Sequence, residues 1–162
     1  MINTKNYLFC NEMKKMSLDS LYSNDQETLE ALKYNLEAII TTEAPLTMNT
    51  LKQRLREAFE IKKISQKALD IIEDQIKILG FPITDNLYDK VLWPTDGIFT
   101  PIFLRINSNR QIYDIPNQEL ILLARSLNKH GEELYRAILS YFGYEVLTEK
   151  ARNYLEYIEG LL

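Results

Sequence analysis

Two amphipathic stretches joined by a short break constrain the fold of this chain more than any other feature. Residues 50–59 and 64–79 each carry apolar side chains at the spacing of one helix face. Ser65 suits the N-cap of the second stretch, and Gly80 suits its C-terminal end because glycine readily adopts the left-handed conformation. The pattern predicts two helices separated by a tight turn.

Composition places the chain among globular proteins of ordinary hydrophobicity. Its 162 residues are enough for one core or two small subdomains. Hydrophobic residues make up 46% of the chain and charged residues 26%, which are ordinary values. The single cysteine, Cys10, excludes an internal disulfide framework, and no apolar run is long enough to span a bilayer. The N-terminal residues lack the apolar stretch of a signal peptide. We therefore expect a cytoplasmic protein with no membrane partner.

Helical and extended segments precede the two paired helices. Ser23 suits the N-cap of a helix that runs to about Ile40, and residues 43–47 then predict an extended connector with a short strand. Residues 1–22 have only a loose helical pattern, which predicts an N-terminal arm.

Two apolar runs of strand length follow the paired helices. Residues 87–93 and 102–106 are rich in aromatic and β-branched side chains, and turn-forming residues lie between them. They predict a two-stranded hairpin. Because an isolated hairpin is only marginally stable, we expect Trp93 and Phe103 to anchor it on the helices.

Three more helices are predicted near the C-terminus, beginning at Pro116, Glu132 and Thr148. The order helix, short strand, helix, helix, hairpin is that of a winged helix-turn-helix, although it also fits any small α+β bundle with a hairpin. We predict an α+β fold that is mostly α. Its expected parts are an N-terminal arm (1–22), a winged helix-turn-helix-like unit (23–112) and a helical extension packed on it (113–162), together one compact domain.

Charge is distributed unevenly along the chain. The net charge of −4 argues against a protein wrapped in nucleic acid. However, six cations and two anions lie between Thr50 and Lys67, and a local basic surface on an acidic protein can bind a polyanion. A solvated helix surface explains the same pattern without a ligand.

If the fold is a winged helix that binds DNA, the start of the second paired helix enters the major groove and nearby cations contact phosphates. Asp70 and Asp74 lie one and two turns farther along that helix and oppose deep insertion. The candidate contacts are Lys52, Arg54, Arg56, Lys62, Lys63, Ser65, Gln66, Lys67, Arg105 and Arg110.

Catalytic and metal-binding signatures are absent from the sequence. There is no glycine-rich phosphate loop, and the only histidine, His130, is about 120 positions from Cys10. Asp70 and Asp74 are one turn apart and could hold a divalent ion, but an exposed acidic helix surface is far commoner. We expect a protein without catalytic activity, metal or cofactor.

The alternative function is protein interaction or self-association without nucleic-acid binding. An acidic C-terminal region and four tyrosines expected at the surface favour it, namely Tyr113, Tyr135, Tyr144 and Tyr157. DNA and a protein partner, which includes a second copy, are therefore both retained as expected partners.

Several short landmarks occur in an order and spacing that resemble a known family. They are Glu43–Leu46, Leu87–Pro94, Pro101–Arg105, Arg110, Ile115–Leu120 and Phe142–Tyr144. Over roughly Leu29 to Ile158, the chain resembles the bacterial domain of unknown function numbered 3320, a winged-helix-like domain found at the C-terminal end of large proteins with helicase and nuclease-like parts. The resemblance implies an accessory role in DNA processing.

One departure from that family concerns the turn between the paired helices. Members often carry a basic turn that contains glycine, whereas residues 59–64 of this chain lack glycine and include Glu60. A phosphate contact carried over from the family at this turn is therefore in doubt.

Overall fold

The computed structural model describes residues 2–162, which divide into two compact units. The first unit comprises residues 8–84 and 91–98, and the second comprises residues 2–7, 85–90 and 99–162. The chain passes between the units after Tyr7, Thr84, Lys90 and Ile98, so the described residues of the predicted N-terminal arm occur in both units. Residues 113–162 form only part of the second unit.

The described residues form seven α-helices and five short strands, which confirms the predicted α+β, mostly α, class. In chain order the elements are β1 (Thr4–Asn6), α1 (Leu18–Tyr22), α2 (Gln26–Glu43), β2 (Leu46–Thr47), α3 (Met48–Phe59), α4 (Gln66–Leu79), β3 (Ile83–Asp85), β4 (Lys90–Leu92), β5 (Leu104–Ile106), α5 (Asn117–Leu127), α6 (Gly131–Tyr141) and α7 (Glu149–Gly160). A single 3₁₀ turn covers Ile112–Asp114.

Side-chain caps determine where the helices of the first unit begin. The Ser65 hydroxyl accepts a hydrogen bond from the Ala68 amide (3.1 Å), and Gly80 ends α4 at φ +80°, as predicted. The predicted cap of α2 is wrong, because Asp25 and not Ser23 accepts from the backbone of the first turn. Ser23 instead ends α1, a short helix that the loose pattern of residues 1–22 did not reveal.

The first unit surrounds its own apolar core with helices and a small sheet. The strand order is β2-β4-β3, and β2 pairs antiparallel with β4. Trp93 is fully buried, and its indole N–H donates to the Thr84 hydroxyl at 2.8 Å. The core consists mainly of aliphatic side chains from α2, α3 and α4, including Leu32, Leu36, Leu51, Leu55, Ile72 and Ile76. Each such buried side chain stabilises the fold by roughly 1.5–3 kcal/mol.

The predicted hairpin between residues 87–93 and 102–106 is wrong. β4 pairs with β3, the strand before it, and β5 belongs to a different sheet. Only four residues separate β3 from β4, a typical hairpin connection, whereas residues 93–103 contain two prolines that cannot donate to a strand ladder. Trp93 is buried as predicted, but Phe103 is on the surface.

The second unit contains α5, α6 and α7 around a separate core. β1 and β5 form a two-stranded parallel sheet in which Lys5 lies opposite Arg105. The largest side chain in this core is Tyr154, which is fully buried and donates a hydrogen bond to the Ile115 carbonyl. No helix among residues 2–162 combines the length and the apolar character needed to cross a membrane.

Candidate functional site

Arg54, predicted to contact phosphate, forms a partly buried ion pair. Its Nε atom lies 2.9 Å from Oε2 of Glu43, and its Nη2 atom lies 3.0 Å from Oε1. Glu43 is fully buried at the end of α2 and also accepts a hydrogen bond from the Cys10 amide. The Arg54 charge is thereby neutralised within the first unit, so this residue is removed from the predicted contacts.

Arg105 and Arg110, also predicted as phosphate contacts, are buried in the second unit. Both bind the carboxylate of Glu119, at 2.7 and 2.8 Å. The ring of Tyr7 lies over both guanidinium groups, with centroid distances of 4.7 and 4.6 Å. Burial favours a raised pKa for Glu119, but the two arginines outweigh it and lower this pKa below the ordinary value. The two arginines therefore have a structural role, and they are removed from the predicted phosphate contacts.

Ser65 and Gln66 are exposed at the start of α4, but both side chains already have partners. The Ser65 hydroxyl caps the helix and lies 2.6 Å from the Tyr22 hydroxyl. The Gln66 amide donates to Asp70 at 2.8 Å. Lys67 lies over the Tyr22 ring, 4.6 Å from its centroid, and remains exposed.

The remaining predicted cations lie close together in the chain around the turn between α3 and α4. Lys62 and Lys63 are exposed in that turn, Lys67 begins α4, and Lys52 and Arg56 share one side of α3. Within residues 2–162, none of the five forms an ion pair. Glu60 lies in the same turn but is bound by Lys15 at 2.9 Å. We call Lys52, Arg56, Lys62, Lys63 and Lys67 the basic surface.

Acidic side chains follow the basic surface along α4. Asp70 and Asp74 are exposed, one and two turns beyond Lys67. Across residues 2–162, no group of three histidine, cysteine or acidic side chains could hold a metal ion. The negative charges of Asp70 and Asp74 would repel a polyanion that extended farther along α4.

The turn between β3 and β4, where a winged helix carries its wing, is fixed within the second unit. Asn86 donates through its side-chain amide to the Tyr154 hydroxyl at 3.0 Å. Its side-chain oxygen accepts from Asn117 at 3.3 Å. Because Asn86 is buried in this network, the short turn is held in place.

A cavity of about 510 Å³ in the second unit was not predicted from the sequence. It is lined by the polar loop after β5 and by aromatic residues at and just after the end of α6. Of these residues, only Arg110 was among the predicted contacts. The lining residues of the cavity are Ile106, Asn107, Ser108, Asn109, Arg110, Tyr141, Phe142 and Tyr144.

The tyrosines expected at the surface are less exposed than predicted. Tyr135 is buried and donates to Glu159 at 2.6 Å, whereas Tyr113, Tyr144 and Tyr157 are half-buried. Exposed apolar residues occur in both units, among them Leu8 and Ile78 in the first and Ile102 and Val146 in the second.

Cys10 and His130 have separate structural environments. Cys10 is buried in the first unit, where its backbone amide donates to Glu43. His130 precedes α6 in the second unit, with Nδ1 3.9 Å from Glu159 Oε2. His130 therefore lies at the N-cap position of α6.

No family model matches the chain, and searches of curated proteins and of solved structures found no match.

Proposed function

We propose that the first unit is a winged helix-turn-helix that binds nucleic acid through the basic surface and has no catalytic role. The observation that carries this proposal is the order α2, β2, α3, α4, β3, β4 together with the strand order β2-β4-β3. In this arrangement α3 and α4 are the helix-turn-helix, and α4 occupies the position of the recognition helix.

The charges of the first unit support a contact with phosphates. Within residues 50–67, Arg54 is neutralised by the buried Glu43 and Glu60 is paired at the surface with Lys15, so Glu57 is the one anion there without an ion pair beside the five cations of the basic surface. Lysine and arginine side chains that neutralise phosphates release counterions, so binding should weaken steeply with salt.

The same charges limit the contact to the start of α4. Lys67 and Gln66 lie in its first turn, whereas Asp70 and Asp74 would repel a duplex that reached farther. The contact is therefore mainly to phosphates, which position a protein on the duplex without reading its sequence. The anchored turn at Asn86 adds no wing contact to this proposal.

The same proposal includes three further statements. The chain belongs to the bacterial family that it resembles in sequence, it accompanies helicase and nuclease-like parts, and it is located in the cytoplasm. An accessory domain of a DNA-processing protein needs modest, sequence-independent affinity. A basic surface of five side chains on a protein of net charge −4 suits that requirement.

The experiment is fluorescence anisotropy of labelled duplex DNA, single-stranded DNA and RNA titrated with the protein at several salt concentrations. We expect duplex binding with a log–log salt slope of several units. The double variant Lys62→Glu/Lys63→Glu should weaken binding and reduce the slope by about two units.

The matched control is Lys5→Glu/Lys150→Glu, which makes the same charge change at two exposed lysines of the second unit that form no ion pair within residues 2–162. Equal losses in the two double variants would show that binding depends only on net charge. That result, or no binding at low salt, would overturn the proposal.

A second candidate function is self-association through the segment 99–103 of the second unit. Phe99, Ile102 and Phe103 are all exposed in these five residues, an unusual density of surface apolar side chains. Sedimentation equilibrium over a range of protein concentrations tests this candidate. The wild-type protein should dimerise, and Ile102→Ser/Phe103→Ser should stay monomeric; a wild-type protein that is monomeric at all concentrations would exclude it.

A further inference from the structure

The cavity beside β5 in the second unit combines aromatic and polar walls. Tyr141 and Phe142 meet edge-on, with ring centroids 5.4 Å apart, and Tyr141 is 41% exposed. Asn107, Ser108 and Asn109 also line the cavity and supply polar side chains. The volume of about 510 Å³ lies within the range of small-molecule sites, which pair apolar walls with a few polar groups.

Hydrogen bonds hold the polar wall in place, and those between Arg110 and Glu119 are buried. Arg110 donates through Nε to the Ser108 hydroxyl at 2.8 Å, while its guanidinium is fixed by Glu119. The Tyr144 hydroxyl donates to the Arg110 carbonyl at 2.7 Å, and Asn107 donates to the side chain of Asn6 at 2.8 Å. A loop fixed at both ends presents its polar groups to a ligand at little entropic cost.

The backbone of this loop is in an uncommon conformation. Asn107 and Asn109 both have left-handed φ angles, 60° and 56°. Asparagine adopts this conformation more readily than other non-glycine residues, and here it turns the loop sharply after β5. The Asn109 side chain, which supplies both a donor and an acceptor, has no hydrogen-bond partner among the residues that the structure describes.

Charge decides which ligands suit the cavity. No acidic side chain lines it, and its one cation, Arg110, already binds Glu119, Ser108 and the Arg105 carbonyl. A phosphate or carboxylate would therefore find no free counter-charge. The lining favours a neutral, planar ring that stacks on an aromatic side chain and offers a donor and an acceptor along one edge.

We propose that this cavity binds a nucleobase, with its ring stacked on Tyr141 and its hydrogen-bonding edge on the amide of Asn109. Aromatic side chains stack on bases of any sequence, and an asparagine amide can bond in a bidentate manner to a base such as adenine. The site is separate from the basic surface. It takes the base itself and does not require the first unit to bind duplex DNA.

The test uses adenosine, guanosine, cytidine and uridine, each titrated into the 162-residue protein and followed by NMR. Binding should perturb the Tyr141 ring and the Asn109 side-chain amide. Tyr141→Ala should weaken the binding at least about fivefold. Asn109→Gly removes the amide but tolerates the left-handed backbone, and it should also weaken the binding and change the preference among the four nucleosides.

Two matched variants control for general effects of these substitutions. Tyr34 is 40% exposed in the first unit, and Asn24 has a left-handed φ of 60°, so Tyr34→Ala and Asn24→Gly make the same changes elsewhere. Both should leave nucleoside binding unchanged. Absence of binding by all four nucleosides at millimolar concentration, or binding that Tyr141→Ala and Asn109→Gly do not weaken, would overturn the proposal whatever the duplex titrations show.

Discussion

Arg54 holds the buried carboxylate of Glu43 through two parallel hydrogen bonds, Nε to Oε2 at 2.9 Å and Nη2 to Oε1 at 3.0 Å. This geometry joins the end of α2 to the middle of α3. A cation that the sequence suggested for phosphate binding thus contributes to the first unit's interior. The distinction is testable because a buried pair affects stability and a surface cation does not.

Arg54→Met should destabilise the protein by about 3–5 kcal/mol, since it removes the counter-charge of a buried carboxylate. Urea unfolding followed by circular dichroism measures the change. Arg56→Met, on the same helix but in the basic surface, should change stability little and weaken duplex binding instead. Equal stability losses in the two variants would contradict the assignment of Arg54 to the interior.

Glu119 leads to a prediction about acid stability. Its pKa in the folded protein is lower than the ordinary value of 4.5 because the charges and hydrogen bonds of Arg110 and Arg105 outweigh burial. The resulting stabilisation is present above the pKa of the unfolded chain and is lost as the pH falls through the lower, folded-state pKa. Glu119→Gln should therefore be much less stable near neutral pH and should show a smaller further loss in acid.

Urea midpoints measured between about pH 6 and about pH 3 would test this prediction. Glu132→Gln is the matched control, because Glu132 also binds two arginines, Arg136 and Arg152, but at the surface. Solvent screens that cluster, so its variant should change the midpoints far less. A stability curve for Glu119→Gln that runs parallel to wild type would contradict the role of the charged carboxylate.

The sequence predicted the helices well because local chemistry determines them. Helical spacing located α3 and α4, and the caps at Ser65 and Gly80 are local interactions that need no knowledge of the rest of the fold. Strand partners were harder to predict. β5 pairs with β1, almost 100 positions earlier, and no local pattern in three exposed residues such as Thr4–Asn6 indicates that partner.

Predicting the candidate site failed for a related reason. Whether an arginine is exposed depends on where a distant carboxylate lies. Arg105 and Arg110 look like surface cations in the sequence, and only the fold brings Glu119 to them. Lys62, Lys63 and Lys67 were predicted to be exposed from local sequence because they lie in or beside one turn, and their contact with nucleic acid stays a prediction. The cavity could not be predicted for the same reason, because its polar wall depends on Arg110, whose burial is not evident from the sequence.

Ser65 was predicted to contact bases, and its geometry as an N-cap predicts a different phenotype. Ser65→Ala should cost about 1 kcal/mol of stability, because the Ala68 amide loses its acceptor. Duplex affinity of the folded protein should stay within about twofold of wild type. Ser65→Thr retains a capping hydroxyl and should restore most of the stability. A large loss of affinity in Ser65→Ala without a loss of stability would restore the base-contact role.

The acids of α4 predict a gain of affinity on neutralisation. Asp70→Asn/Asp74→Asn should strengthen duplex binding severalfold at low salt and have less effect at high salt, since it removes repulsion one and two turns beyond Lys67. Glu27→Gln/Glu30→Gln makes the same charge change on α2 and serves as the control in the same anisotropy assay. Equal gains in the two variants would indicate a non-specific effect of net charge.

Tyr135 predicts how the protein responds to alkali. Burial, with the hydrogen bond to Glu159 and its negative charge, raises the pKa of Tyr135 to about 12, against an ordinary value of 10.0. Above pH 10 the unfolded chain loses this proton while the folded protein retains it, so the stabilisation present below that pH is lost as the pH rises towards 12. Tyr135→Phe should flatten this alkaline decline, whereas Tyr141→Phe, at an exposed ring, should leave it unchanged. Urea midpoints across that range measure the decline, and an identical slope in Tyr135→Phe and wild type would contradict the raised pKa.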